Sequence, residues 1–125
     1  MKAPIILAVD TSDLELAKAW IAHTCEYVQV FKLGLEFFLN FGAQGVRAIT
    51  ENSDVKIFLD LKLHDIPNTV SHAASSAALL KPLFLTVHAS GGSEMIKAAV
   101  KAAPETKITA VTILTSLSEV DVKNI

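Results

Sequence analysis

The chain has 125 residues, 51% of them hydrophobic and 19% charged, which is enough apolar material for one domain spanning 1–125. Its 11 basic and 13 acidic residues leave a formal net charge of −2, so no basic excess points to a nucleic acid or to an acidic membrane surface. The single cysteine, Cys25, excludes an internal disulfide, and no zinc-ligand spacing is present, which fits a reducing, cytoplasmic setting.

The opening MKAPIILAVD holds an apolar run too short for a membrane span, and Asp10 interrupts it before a signal-peptide core could form. PIILAVD (4–10) reads instead as a fully buried strand. Ser12 with Glu15 has the pattern of a capping box. It introduces a helix over about 13–25, with Leu14, Ala17, Trp20 and Ile21 on one face. VQVFKLG (28–34) is a second strand, followed by a helical region over about 35–52 that breaks near Gly42. VKIFLDLK (55–62) is the third strand. Ile66-Pro67 starts a helix that reaches about residue 80, because proline suits a first helical turn. LFLTVHA (83–89) is the fourth strand. Gly91-Gly92-Ser93 opens a helix to about residue 103, with Pro104 just past its end. KITAVTIL (107–114) is the fifth strand, and Ser118 with Asp121 marks the start of a fifth helix.

Strands that alternate with helices imply a parallel sheet with covering helices. An open doubly wound sheet and part of a (β/α)8 barrel both fit that alternation. The strand ends help to choose. Asp10 closes the first strand, Lys32 lies near the end of the second, Asp60 and Lys62 end the third, His88 ends the fourth, and Thr115 and Ser116 follow the fifth. In parallel α/β folds the ligand site lies at the carboxyl ends of the strands. Any one of these groups alone reads as a solvated strand end. Five ends converging on one rim favour a barrel mouth.

The stretch FLDLKLHDIPNT (58–69) concentrates the charge. Residues two apart on a strand share a face, so Asp60 and Lys62 are neighbours while Leu59, Leu61 and Leu63 point the other way. Asp65 follows in the turn. Carboxylates beside a lysine hold it as the ammonium, which can stabilise a developing carbanion and protonate it. A carboxylate fixed beside a substrate carboxylate could also destabilise that ground state. A structural ion network at the sheet rim accounts for the same spacing.

DLKLHDIPNT (60–69) resembles the D-x-K-x-x-D-I-P-x-T signature of the orotidine 5′-phosphate decarboxylase family. ILAVD, FKLG, VHAS and VTILTS resemble the same family in the same order, from about residue 4 to the last residue. The resemblance implies a (β/α)8 TIM barrel, of which this chain covers about the first five βα units. It also implies a homodimer, and conversion of orotidine 5′-monophosphate to uridine 5′-monophosphate and CO2 with no metal and no organic cofactor. By position, Lys62 resembles the proton donor to C6 of the pyrimidine, and Asp60 the carboxylate beside the leaving group. Asp10 and Lys32 resemble ribose-binding groups, with Lys32 charge-linked to Asp60. Asp65 and Thr69 resemble residues that reach the neighbouring subunit's site, which Ile66 would line. Thr115, beside Ser116, matches the region that contacts the pyrimidine. The resemblance assigns His88 no chemical step, so a packed or hydrogen-bonded histidine is expected there. His64 is expected to point away from the site, and His23 and His72 fall on helices.

Metal-dependent sugar-phosphate decarboxylases and aldolases of the same suprafamily are similar at Asp60, Lys62 and Asp65. They place an acidic magnesium ligand at the end of strand two, where this chain has Lys32, and a lysine repels a divalent cation. The first βα turn, DTSDLE, lacks a glycine-rich phosphate cradle, which argues against an unrelated nucleotide-binding domain. A complete barrel takes roughly 200 residues or more. The expectation is therefore a truncated barrel, without the phosphate-gripping loop and arginine that the resemblance places after strands seven and eight. Open sheet edges in such a piece invite pairing, so a non-catalytic half-barrel module is the reading of a different class.

Overall fold

The computed structural model describes residues 1–125, in which five parallel strands form one sheet in the order β1-β2-β3-β4-β5. The strands are β1 (Ala3–Ala8), β2 (Val28–Gly34), β3 (Lys56–Leu63), β4 (Phe84–His88) and β5 (Lys107–Val111). The helices are α1 (Leu14–Thr24), α2 (Leu35–Thr50), α3 (Pro67–Ala78), α4 (Ser93–Ala102) and α5 (Glu119–Lys123), with a 3₁₀ turn at Ala89–Gly91. Every strand pairs only with its neighbours in sequence, and the sheet curls as an arc of a (β/α)8 barrel. A doubly wound sheet would reverse its strand order at a switch point, and none is present here.

The two faces of the sheet follow the period-two alternation of its strands. Phe31 and Leu33 of β2, Ile57 and Leu59 of β3, and Leu85 and Val87 of β4 are buried toward the helices. They join Phe37, Val46 and Ile49 of α2, Val70 and Ala74 of α3, and Met95 and Ala99 of α4 in one apolar cluster. Each large side chain of this kind contributes about 1.5–3 kcal/mol when fully buried. The other face carries Lys32, Phe58, Asp60, Phe84 and Thr86. Phe58 and Phe84 pack with ring centroids 5.4 Å apart, and Lys107 lies over the Phe84 ring at 5.6 Å.

Helix ends follow local chemistry. Asp13, not Ser12, caps α1, its Oδ1 accepting from the backbone N–H groups of Glu15 and Leu16. The expected Ser12–Glu15 box is replaced because the Asp13 carboxylate already accepts from the Glu15 amide that Ser12 would have capped. Gly42 interrupts α2 with φ 58 and ψ −158, a conformation open to glycine, and this is the break expected there. Pro67 occupies the first turn of α3, and Ser118 with Asp121 forms a reciprocal capping box on α5.

Two strands differ from expectation. β1 was expected to be fully buried, but Pro4, Ile5, Ile6 and Ala8 are exposed because β1 pairs with β2 alone. β5 stops at Val111, where its ladder with β4 ends at the His88–Val111 pair, so residues 112–117 form a loop instead of continuing the strand. No helix is long and apolar enough to cross a membrane.

Candidate active site

The carboxyl ends of β2, β3, β4 and β5, with the loop after β5, enclose a cleft of about 390 Å³. Lys32, Asp60, Lys62, Thr86, Thr109, Thr115 and Ser116 supply its polar lining, and Phe58, Val111, Ile113 and Leu114 its apolar wall. Of the residues expected at the site, it brings together Lys32, Asp60, Lys62 and Thr115.

Asp60 is the centre of the charge array. Its Oδ1 accepts from Lys62 Nζ at 2.9 Å, and its Oδ2 lies 3.5 Å from Lys32 Nζ. Lys32 in turn lies 3.7 Å from Asp10 Oδ1, so Asp10 joins the array from the exposed end of β1 without lining the cleft. The Asp60 side chain is 13% exposed, against 25% for Lys32 and 29% for Lys62, which keeps the lysines open to a ligand while the carboxylate is held behind them. Partial burial alone would raise the Asp60 carboxyl. Hydrogen bonds from Lys62 and Thr86, with the charges of Lys62 and Lys32, outweigh it and hold the group below its ordinary value. Asp60 is therefore an anion throughout the neutral range, fixed against a flanking ammonium.

The backbone of β3 makes this arrangement. Its pairing with β4 runs Leu59↔Leu85 and then Leu63↔Val87, so extra residues bulge from the strand between those pairs. Lys62 sits in the bulge with φ 47, in the left-handed region that a residue with a Cβ seldom occupies. Strain of this kind persists where surrounding contacts over-determine it, and it concentrates at functional sites. Here the Lys62 backbone N–H is donated to Thr86 Oγ1 at 2.8 Å, and the Thr86 hydroxyl is donated to Asp60 Oδ1 at 2.9 Å.

Thr86 and Thr109 escaped the reading of strand ends. They are register partners on β4 and β5 and face the cleft. Their available signal was a lone hydroxyl inside an apolar strand, two residues before a polar strand end in the case of Thr86.

Asp65, Ile66 and Thr69 lie outside this cleft. All three are exposed, and the Asp65 carboxylate accepts from the Ile66 backbone N–H at 2.7 Å. Asp65 makes no ion pair within the chain, so the ammonium of Lys62 is flanked by Asp60 alone. His88 turns from the cleft and packs against His64, ring centroids 5.1 Å apart. His23 Nδ1 lies 2.7 Å from the Ala19 carbonyl oxygen, and His72 is exposed on α3. No group of three or more histidine, cysteine, aspartate or glutamate side chains is arranged to hold a metal ion.

Comparison with known proteins places the chain in a family. A family model described as "Orotidine 5'-phosphate decarboxylase / HUMPS family" matches residues 3–125. An orotidine 5'-phosphate decarboxylase from Thermobifida fusca (strain YX) is 54% identical over 119 residues, covering 95% of this chain and 51% of that protein. One from Erythrobacter litoralis (strain HTCC2594) is 47% identical over 124 residues, covering 98% of this chain and 55% of that protein. The crystal structure of orotidine 5'-phosphate decarboxylase from Lactobacillus acidophilus superimposes with a TM-score of 0.86 at 38% identity, over 97% of this chain and 58% of that one. The chain thus spans about half the length of the curated relatives it matches.

Proposed function

Because the chain belongs to the orotidine 5'-phosphate decarboxylase / HUMPS family, we propose that it supplies the lysine–carboxylate part of a decarboxylase acting on orotidine 5′-monophosphate. The observation that carries this reading is the array in which Asp60 lies between Lys62 at 2.9 Å and Lys32 at 3.5 Å on the wall of a single cleft.

With the pyrimidine in that cleft, the C6 carboxylate is set beside the Asp60 anion. The C6–carboxylate bond breaks, CO2 leaves, and the electron pair stays on C6. The Lys62 ammonium stabilises that pair and then transfers a proton to it, giving uridine 5′-monophosphate. Charge complementarity aimed at the carbanion, formed only as the bond breaks, accelerates the step more than uniform binding does. Lys32 and Asp10 bind the ribose hydroxyls, and Thr115 contacts the pyrimidine. The reaction takes no metal and no organic cofactor. Lys32 supports that part of the reading, because its ammonium stands at the end of β2, where the sugar-phosphate enzymes of the suprafamily hold an acidic magnesium ligand. The exposure of Asp65, Ile66 and Thr69, away from Lys62 of their own chain, supports a homodimer in which they complete the partner's cleft.

The test is complementation. The 125-residue chain, fused to the part of the Thermobifida fusca relative that it does not match, is expected to consume orotidine 5′-monophosphate, followed by its ultraviolet absorbance. Lys62→Ala is expected to abolish turnover, and EDTA to leave it unchanged. Turnover retained in Lys62→Ala refutes the proton-donor role. Activity lost in EDTA and restored by magnesium points to the sugar-phosphate chemistry instead. A stable oligomer that neither turns over substrate nor binds uridine 5′-monophosphate points to a half-barrel module.

A further inference from the structure

Thr86 is a polar residue that the lysine–carboxylate chemistry does not itself use. It is 2% exposed, in a strand where Leu85 and Val87 are fully buried. A hydroxyl in such a place costs desolvation unless both its donor and its acceptor find partners. Here both do, and the direction of each bond has one solution. The Lys62 backbone amide can only donate, so Thr86 Oγ1 accepts from it at 2.8 Å. An ionised carboxylate can only accept, so the Thr86 proton goes to Asp60 Oδ1 at 2.9 Å. The bulge in β3 takes the Lys62 amide off the ladder, and the side chain of β4 replaces the missing backbone acceptor.

We propose that Thr86 is a positioning residue for the decarboxylation inferred above. Its one oxygen holds the Lys62 backbone in the left-handed turn, and its one proton pins the Asp60 carboxylate in the rotamer that receives Lys62 Nζ. The purpose of this relay rests on the decarboxylase reading; its geometry does not. Without the hydroxyl, Oδ1 keeps only the Lys62 ammonium and the Lys62 amide is left without an acceptor. The carboxylate is then free to turn toward Lys32, which already stands 3.5 Å from Oδ2. The other charged groups nearby are Asp10, behind Lys32 at the end of β1, and Lys107 of β5, which lies over the Phe84 ring. None of these replaces a hydrogen bond from the β4 side.

The experiment is carbon-13 NMR of the Asp60 carboxyl across pH, with amide exchange at Lys62, on the 125-residue chain and its Thr86→Val and Thr86→Ser variants. Valine keeps the shape and removes the hydroxyl; serine keeps the hydroxyl. In Thr86→Val the Asp60 titration midpoint should rise above that of the wild type, because a donor to the ionised form is gone. Lys62 amide exchange should quicken by about tenfold. Thr86→Ser should restore both. Circular dichroism confirms folding, and if Thr86→Val is unfolded, Thr86→Cys, a weak donor of similar volume, takes its place. A midpoint and an exchange rate unchanged by the loss of the hydroxyl overturn the proposal. Neither readout needs substrate, so a failure of the decarboxylase reading appears only in turnover and is distinguishable from a failure of this one.

Discussion

Replacing Asp60 by asparagine removes one charge and almost no volume, so it isolates the electrostatics of the site. In the native arrangement Asp60 faces Lys62 Nζ at 2.9 Å and Lys32 Nζ at 3.5 Å. At an effective dielectric constant of about 20, each attraction is worth roughly 5 kcal/mol taken alone. Most of that is offset by removing the carboxylate and two ammonium groups from water. A hydrogen bond to a charged group leaves a net of about 1.5–3 kcal/mol. The amide still accepts on one side, but it turns an NH2 group toward a cation on the other and leaves the two lysines to repel each other. Asp60→Asn should therefore lower stability by about 2 kcal/mol at neutral pH.

The sign of the pH dependence follows from the lowered native carboxyl. Its contribution is complete above the unfolded-state value near 3.9, and it is lost as pH falls through the lower native value. Urea unfolding, followed by the fluorescence of the single tryptophan, Trp20, measures both variants. The gap between them should narrow as the pH is taken below about 4. An Asp60→Asn chain as stable as the wild type at neutral pH, or a gap that does not change on acidification, refutes the reasoning.

The strands at the two edges of the sheet predict association. β1 and β5 each pair on one side only, and Ile5 and Ile6 of β1 are exposed. Sedimentation of the 125-residue chain should show a mass that grows with concentration, and Ile6→Lys should reduce it. A monomer at all concentrations contradicts this. In α2, Gly45→Ala should destabilise by about 1–3 kcal/mol, because an added Cβ would collide with Cβ of Phe41. The intrinsic preference of a helix for alanine over glycine runs the other way by about 1 kcal/mol. Urea unfolding that shows a more stable variant would therefore sink the packing argument.

Much of this architecture was legible because its signals are local. Val28–Gly34 matches the expected second strand residue for residue, since an apolar run bounded by glycine has few other readings. Gly42, Pro67 and Ser118 marked helix features through backbone chemistry that needs no tertiary context. The errors arose where a neighbouring strand decides the outcome. The apolar letters of β1 implied burial, but burial requires a partner on each side, and one side is open. Residues 112–114 have strand-like letters, but the ladder ends at Val111.

The site shows the same division. Lys32, Asp60 and Lys62 were found because charge at a strand end is conspicuous, and Asp65 lies in the turn where its letters put it, outside the cleft. Thr86 was missed because its importance comes from the bulge opposite, and a left-handed φ at a lysine leaves no mark in the sequence.

The strand order also governs how the chain is built. A sheet whose strands pair in order of synthesis never waits for a distant segment. The bonds that join Lys62 and Asp60 to Thr86 span 24 and 26 residues. Such short spans lower the loop-closure entropy of each pairing step and favour fast folding. Domains begin to fold during synthesis, at about 5–20 residues per second. Asp10, Lys32 and Asp60 come from the first three βα units in chain order, and β4 brings the hydroxyl that bonds the Lys62 amide. The charged centre thus draws its groups from the first four βα units and takes none from β5.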